Sequence, residues 1–166
     1  MELSELAGQL RLWREKPQVM VRDLFGATPD PWQDDVLEAF PHHQRIALLA
    51  SKGPGKTALE SWLAWNYLLT RPHPNIAAVS ITAENLADNL WKELAKWAGR
   101  SPLIQATFEW QKTRIISRKN PATWWMSARS WPKGGSTEQQ ADTLAGLTQP
   151  MKACISVSTI QVTLFG

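Results

Sequence analysis

The sequence predicts an α/β fold in which a parallel sheet is flanked by helices and preceded by a helical lead. Two apolar runs, residues 45–50 and 76–81, have the continuous apolar character of strands that are buried on both faces. Each run is followed by a segment with helical periodicity. This strand, helix, strand, helix order is typical of parallel strands joined by right-handed crossovers. At 166 residues the chain has the length of one ordinary domain.

The helical lead covers residues 1–40. Residues 3–13 have the spacing of a short amphipathic helix, and residues 17–26 form a second predicted helix that opens on a proline and stops at a glycine. Asp30 is the expected N-cap of a third helix, with Pro31 at its first position. The lead is therefore expected to consist of short helices separated by turns.

A glycine-rich segment, residues 50–57 with the sequence ASKGPGKT, stands between the first predicted strand and the following helix. Backbone N–H groups in such a turn line a concavity, and the helix adds the positive end of its dipole. The segment therefore predicts a Walker A P-loop, in which Lys56 reaches the β- and γ-phosphates and Thr57 holds Mg²⁺. Because Ala50 replaces the first glycine of the pattern, a plain turn with a surface lysine remains the alternative.

The rest of the chain is predicted to continue the same layout. Residues 71–75 form a proline-rich turn, and the second apolar strand is followed by a helix with Thr82 as N-cap and Gly99 as its stop. Residues 108–117 and 123–128 are predicted to be two further strands.

Gln33 lies upstream of the predicted loop, at the head of the third helix. A glutamine amide can donate to and accept from the edge of adenine at the same time, so Gln33 is a candidate for selecting ATP. The alternative is a helix glutamine that faces solvent.

Composition limits the partners that the chain is expected to have. The net charge is +3, and residues 109–166 carry 7 basic and 3 acidic side chains, which favours a phosphate-rich partner such as DNA or, alternatively, a solvated basic face. The single cysteine, Cys154, excludes an internal disulfide. No apolar run approaches the ~20 residues of a membrane span and no signal peptide is recognisable, so we expect no membrane partner and a cytoplasmic protein.

The chain also has ten tryptophans. Four of them fall in predicted helices and are expected to belong to the core or an interface rather than to stack on bases: Trp62, Trp65, Trp91 and Trp97.

Three segments together resemble a known family. Residues 29–37 (PDPWQDDVL), 50–57 and 80–91 (SITAENLADNLW) are similar to the start of the large terminase subunit of tailed bacteriophages, and the resemblance spans about residues 15–147. That family packages DNA with an N-terminal ATPase domain of RecA-like fold, followed by a nuclease domain. The resemblance implies that residues 1–147 are the N-terminal part of such a P-loop ATPase domain and that the nuclease domain is absent.

The resemblance also implies roles for particular residues. Gln33 would contact adenine, Lys56 would neutralise the γ-phosphate, Thr57 would ligate Mg²⁺, and Lys52 would be a candidate catalytic residue that stabilises the transferred charge. The residues that would cradle phosphate are Ser51, Lys52, Gly53, Pro54, Gly55, Lys56 and Thr57.

The implied cofactors are ATP and Mg²⁺. The implied partners are double-stranded DNA and, in the parent family, the portal protein and the small terminase subunit, in the cytoplasm of a phage-infected or lysogenic bacterial host.

The sequence departs from the family where hydrolysis would need a carboxylate. No Asp or Glu follows Asp142, so the expected Walker B acid is missing. A second reading frame, entered at the third base of the Met151 codon, permits an apolar run ending in two aspartates. We therefore expect residues 148–166 to be an aberrant, frameshifted tail, with a naturally divergent terminus as the alternative.

The expected function is an ATP-binding fragment of a DNA-packaging motor that does not itself hydrolyse ATP. Two alternatives remain open: a fragment of another P-loop helicase or translocase, and a non-catalytic interaction fragment.

Overall fold

The computed structural model describes residues 3–48, 55–80, 86–130, 152–156 and 160–165. The helical lead forms as predicted and consists of α1 (Leu3–Glu15), α2 (Pro17–Phe25) and α3 (Pro31–Ala39), closed by a short 3-10 turn at Phe40–His42. Gly26 ends α2 in the left-handed conformation, with φ of 59°, and its N–H donates to the Arg22 carbonyl.

One helix crosses the molecule and three further helical segments follow it. They are α4 (Lys56–Thr70), a π-helical segment (Leu86–Trp91), α5 (Lys92–Ala98) and α6 (Pro102–Thr107).

Seven strands form one sheet. They are β1 (Arg45–Leu48), β2 (Asn75–Ser80), β3 (Phe108–Trp110), β4 (Arg114–Ser117), β5 (Trp125–Ser130), β6 (Lys152–Ser156) and β7 (Ile160–Phe165). Their order across the sheet is β1-β7-β6-β2-β5-β4-β3.

The sheet is mixed, which corrects the prediction of a parallel sheet. β2 pairs in parallel with both β5 and β6, whereas β7 and β4 run antiparallel to their neighbours. The reason is the length of the connections, because parallel neighbours need a crossover of about a dozen residues or more. Three residues join β3 to β4 and three join β6 to β7, so these pairs can only be antiparallel.

β1, the strand that precedes the predicted loop, runs parallel to β2, as predicted. Following the pairings from β2 through β6 and β7 to β1 shows that β1 and β2 point the same way. The helix between them, α4, is therefore a crossover helix, as the strand, helix, strand order predicts.

The core lies between the sheet and α4. Residues of α4 from Leu59 to Leu69 are all buried, and the helix is anchored by Trp65 Nε1, which donates to the Leu94 carbonyl at 3.2 Å, and by Asn66 Nδ2, which donates to the Trp13 carbonyl at 2.7 Å. Trp62, Trp65 and Trp97 are buried and Trp91 is half-buried, which confirms their predicted place in the core.

Two predicted elements differ from those observed. The strand predicted over residues 108–117 is a hairpin of β3 and β4, closed where the Gln111 N–H donates to the Arg114 carbonyl at 2.7 Å. The helix predicted from Thr82 is described only from Leu86 onward, and it begins as a π-helix before it becomes α5. Its predicted N-cap, Thr82, lies outside the described residues.

Two segments of the predicted aberrant tail, β6 and β7, are paired within the sheet between β1 and β2. The frameshift itself is a property of the gene and stays a prediction.

Candidate functional site

The candidate site lies at the carboxyl end of β1, on the side of the sheet where α4 begins. We call this side the carboxyl edge of the sheet. The pairings make β1, β2, β5 and β6 run in one direction, so their carboxyl ends lie along this same edge. Ligands of open α/β sheets bind outside the carboxyl ends of the strands. The topology therefore places the start of α4 at the side of the sheet where ligands bind in such folds.

Part of the predicted loop cannot be placed. Ala50 lies outside the described residues, as do four of the residues predicted to cradle phosphate: Ser51, Lys52, Gly53 and Pro54. The predicted roles of these four, including that of Lys52 as a catalytic candidate, stay predictions.

Gly55 stands directly before α4 and has the left-handed conformation, with φ of 83°. A Cβ atom placed on it would lie 2.8 Å from Gln33 Nε2, which is closer than such atoms approach in proteins. The backbone conformation and the close neighbour both favour glycine at this position. The glycine of the Gly-Lys-Thr segment is thus explained by local geometry.

Gln33 is 4% exposed and uses both ends of its amide. Its Oε1 accepts a 2.8 Å hydrogen bond from the Asp30 N–H, which is the N-cap of α3, and its Nε2 donates to the Gly55 carbonyl at 3.1 Å. The alternative of a solvent-facing glutamine is wrong. The side chain fastens the start of α3 to the residue that precedes α4.

Lys56 and Thr57 occupy the first turn of α4 and are both half-buried. The first backbone N–H groups of a helix have no partner within that helix, and the helix dipole makes this end positive. α4 has 15 residues, so its amino terminus offers a full set of such donors beside an ammonium and a hydroxyl. These groups can hold an anion and a bound cation.

Glu60 is a member of this region that the sequence analysis missed. It is 1% exposed, one helical turn after Lys56, and its Oε2 has no hydrogen-bond partner among the residues that the structure describes. Burial raises the pKa of Glu60 to about 8, and the nearby Lys56 ammonium offsets only part of that rise. The carboxyl group is therefore mainly protonated at neutral pH. Its spacing of four residues from Lys56 within an apolar helix is the signal that could have identified it.

The described strand ends carry no acid at this edge. β1, β2, β5 and β6 finish at Leu48, Ser80, Ser130 and Ser156. Within the described part of the chain, no three His, Cys, Asp or Glu side chains come together as a potential metal site. A carboxylate for the Mg²⁺ shell is thus not supplied by the end of any of these four strands.

Three arginines of the C-terminal third make contacts within the fold. The Arg114 and Arg129 guanidinium groups lie 4.6 and 5.8 Å from the centre of the Trp125 ring, and Arg118 pairs with Glu109 at 3.5 Å. Trp125 is 5% exposed and so does not offer its ring to a base. Double-stranded DNA as a partner of this region stays a prediction.

Comparison with known proteins gives no relative: no family model matches the chain, and neither a curated protein nor a solved structure is significantly similar to it. Among the described helices, none has the length and apolar character needed to cross a membrane.

Proposed function

We propose that this chain binds ATP with Mg²⁺ at the amino terminus of α4, and that it is a fragment of a viral DNA-packaging motor of the terminase type. The observation that carries the proposal is Gly55. It combines a left-handed backbone with contact to Gln33 directly before a buried 15-residue helix, at the carboxyl edge of the sheet.

The residues present suit a nucleotide phosphate. The Lys56 ammonium would neutralise the β- and γ-phosphates, the N–H groups of the first turn would donate to phosphate oxygens, and the Thr57 hydroxyl would ligate Mg²⁺. Bound Mg²⁺ would supply charge neutralisation between the phosphates. Ser51, Lys52, Gly53 and Pro54 would complete the cradle.

Gln33 would contribute to the site in two ways. Its bond to the Gly55 carbonyl positions the end of the loop. A glutamine amide has a second donor hydrogen and a second acceptor lone pair beyond the bonds that Gln33 makes here, so the same side chain could still contact adenine.

Binding without hydrolysis is the activity that the residues favour. Phosphoryl transfer depends on carboxylates that hold the metal shell and orient water, and the four co-directional strand ends named above carry none. Translocation of double-stranded DNA, with the portal protein and the small terminase subunit as partners, would belong to the complete parent protein.

Titration calorimetry with Mg²⁺–ATP tests the proposal. Lys56→Ala is expected to abolish measurable binding, because the ammonium opposite the phosphates is lost. Lys119→Ala is the matched control, since Lys119 is exposed in the connection between β4 and β5, at the opposite edge of the sheet. Equal affinity in the wild type and Lys56→Ala would contradict the P-loop assignment.

A further inference from the structure

A second candidate binding site lies at the other end of α4. A cavity of about 390 Å³ opens between the carboxyl-terminal ends of α1 and α4 and the 3-10 turn after α3. Its lining residues are Arg11, Arg14, Glu15, Pro41, His42 and Arg71. A helix of 15 residues is about 22 Å long, so this cavity is well separated from the start of α4.

Arg71 is the fixed element of this cavity. It is 6% exposed, and its guanidinium carbon lies 4.4 Å from the centre of the Tyr67 ring and 5.4 Å from that of Phe40. Its Nη1 donates to Asn66 Oδ1 at 3.2 Å and to Thr70 Oγ1 at 3.0 Å. Within the described residues both hydrogen bonds come from Nη1, so the Nη2 and Nε donors remain for a ligand.

The cavity carries more positive than negative charge. Three arginines line it, and Glu15 is the one carboxylate among the lining residues. Burial lowers the pKa of Arg71 to about 10; Tyr67 partly opposes that change, and the neighbouring Arg14 cation lowers the pKa further. Arg71 stays protonated at neutral pH, so two like charges are held close together. An anion between them would relieve their repulsion.

We propose that this cavity binds a small phosphate-bearing anion. The planar guanidinium presents donors in a fork that matches phosphate oxygens. Three arginines and one glutamate leave a net charge of two positive units, which a doubly charged anion would balance. The volume lies within the range of small-molecule pockets, roughly 300–1,000 Å³. One cation in the last turn of α1, Arg14, is also favourable for the helix dipole, but a dipole role does not account for three arginines that line one cavity.

Calorimetry at fixed ionic strength, with inorganic phosphate and pyrophosphate as probes, tests this site. Arg11→Met and Arg14→Met keep most of the side-chain volume, and each is expected to weaken binding about tenfold or more. Glu15→Gln is expected to tighten binding, because it removes the opposing charge. Arg118→Met is the matched control, since Arg118 is half-exposed in the connection after β4 and pairs with Glu109.

Two further arms identify the ligand and its place. Lys56→Ala is expected to leave phosphate binding at this cavity unchanged, which separates it from the P-loop. A short oligonucleotide with a 5′-phosphate is compared with the same strand lacking it, so that a terminal phosphate ester is distinguished from the free anion.

Binding of the free anion or of the terminal phosphate ester supports the proposal if it depends on Arg11 and Arg14. Three results would overturn it: no saturable binding of any probe, binding that is lost in Lys56→Ala and kept in Arg14→Met, or an equal loss in Arg118→Met. Circular dichroism of each variant confirms that the fold is retained.

Discussion

Gln33 donates a hydrogen bond of 3.1 Å from its Nε2 to the carbonyl of Gly55, 22 residues further along the chain. The same amide accepts from the N-cap of α3. The helical lead and the start of α4 are thus joined at one buried side chain. Changes in either element are therefore expected to affect nucleotide binding.

Gly55→Ala is expected to destabilise the fold by about 2 kcal/mol or more, for two reasons. An alanine in the left-handed conformation costs roughly 1–2 kcal/mol, and its Cβ atom would also clash with the Gln33 side chain. Urea denaturation measures the loss. Gly26→Ala is the matched control, because Gly26 also has a positive φ but has open space around its Cβ position. If both variants lose the same stability, the contact with Gln33 contributes nothing.

Gln33→Ala is expected to lower ATP affinity more than GTP affinity. The adenine contact would be lost for ATP alone, whereas the loosened Gly55 carbonyl would weaken both nucleotides. Gln111→Ala, at an exposed position between β3 and β4, serves as the control in the same calorimetric titrations. An equal loss for ATP and GTP would assign Gln33 a purely positioning role.

Glu60→Gln is expected to change how stability depends on pH. The folded-state pKa of about 8 exceeds the ordinary value of 4.5, so the unfolded chain releases this proton first as pH rises. Wild-type stability should therefore fall from about pH 4.5 to about pH 8 and then level off, by roughly 2 kcal/mol or more in total. The glutamine variant should lack this fall.

Unfolding free energies at several pH values across that range test the Glu60 prediction. Glu38→Gln, at an exposed position in α3, is the control and should keep the wild-type slope. Parallel curves for the wild type and Glu60→Gln would show that Glu60 does not titrate as expected.

The purified chain is expected to release no phosphate from ATP above background, with or without double-stranded DNA. The reason is the lack of an acid at the described ends of β1, β2, β5 and β6. Turnover that disappears in Lys56→Ala would show that a carboxylate elsewhere, such as Glu138 or Asp142, serves instead.

Restoring the alternative reading frame near codon 150 should introduce paired acids and measurable hydrolysis.

The sequence predicted best those features that depend on local chemistry. Pro31 opens α3 with Asp30 as its N-cap, and Gly26 ends α2, because a fixed φ or a missing Cβ decides the backbone at each position. Apolar periodicity also predicted α4 as a crossover helix, whereas the burial of every residue from Leu59 to Leu69 goes beyond the one apolar face that such periodicity indicates.

Features that depend on distant neighbours were not predictable in the same way. The spacing from Asp30 to Gln33 is that of a capping box, which could have indicated the bond to the N-cap. Nothing local indicated the bond from Gln33 to Gly55. Arg71 lay in a predicted turn, yet it is buried against Tyr67 of α4 and against Phe40. Tyr67 is only four residues away, so the contact with Phe40, from the 3-10 turn after α3, is the one that depends on a distant part of the chain.

The position of β1 at the edge of the sheet has a consequence for the order of folding. Its pairing partner among the described strands is β7, with Arg45 opposite Thr163, so β1 must wait for a strand that is synthesised much later. Contacts of such long sequence separation form slowly, because the entropy of closing a large loop is lost before the contacts can stabilise the fold. On a translating ribosome, the strand that leads into the candidate site would dock only after β7 had emerged.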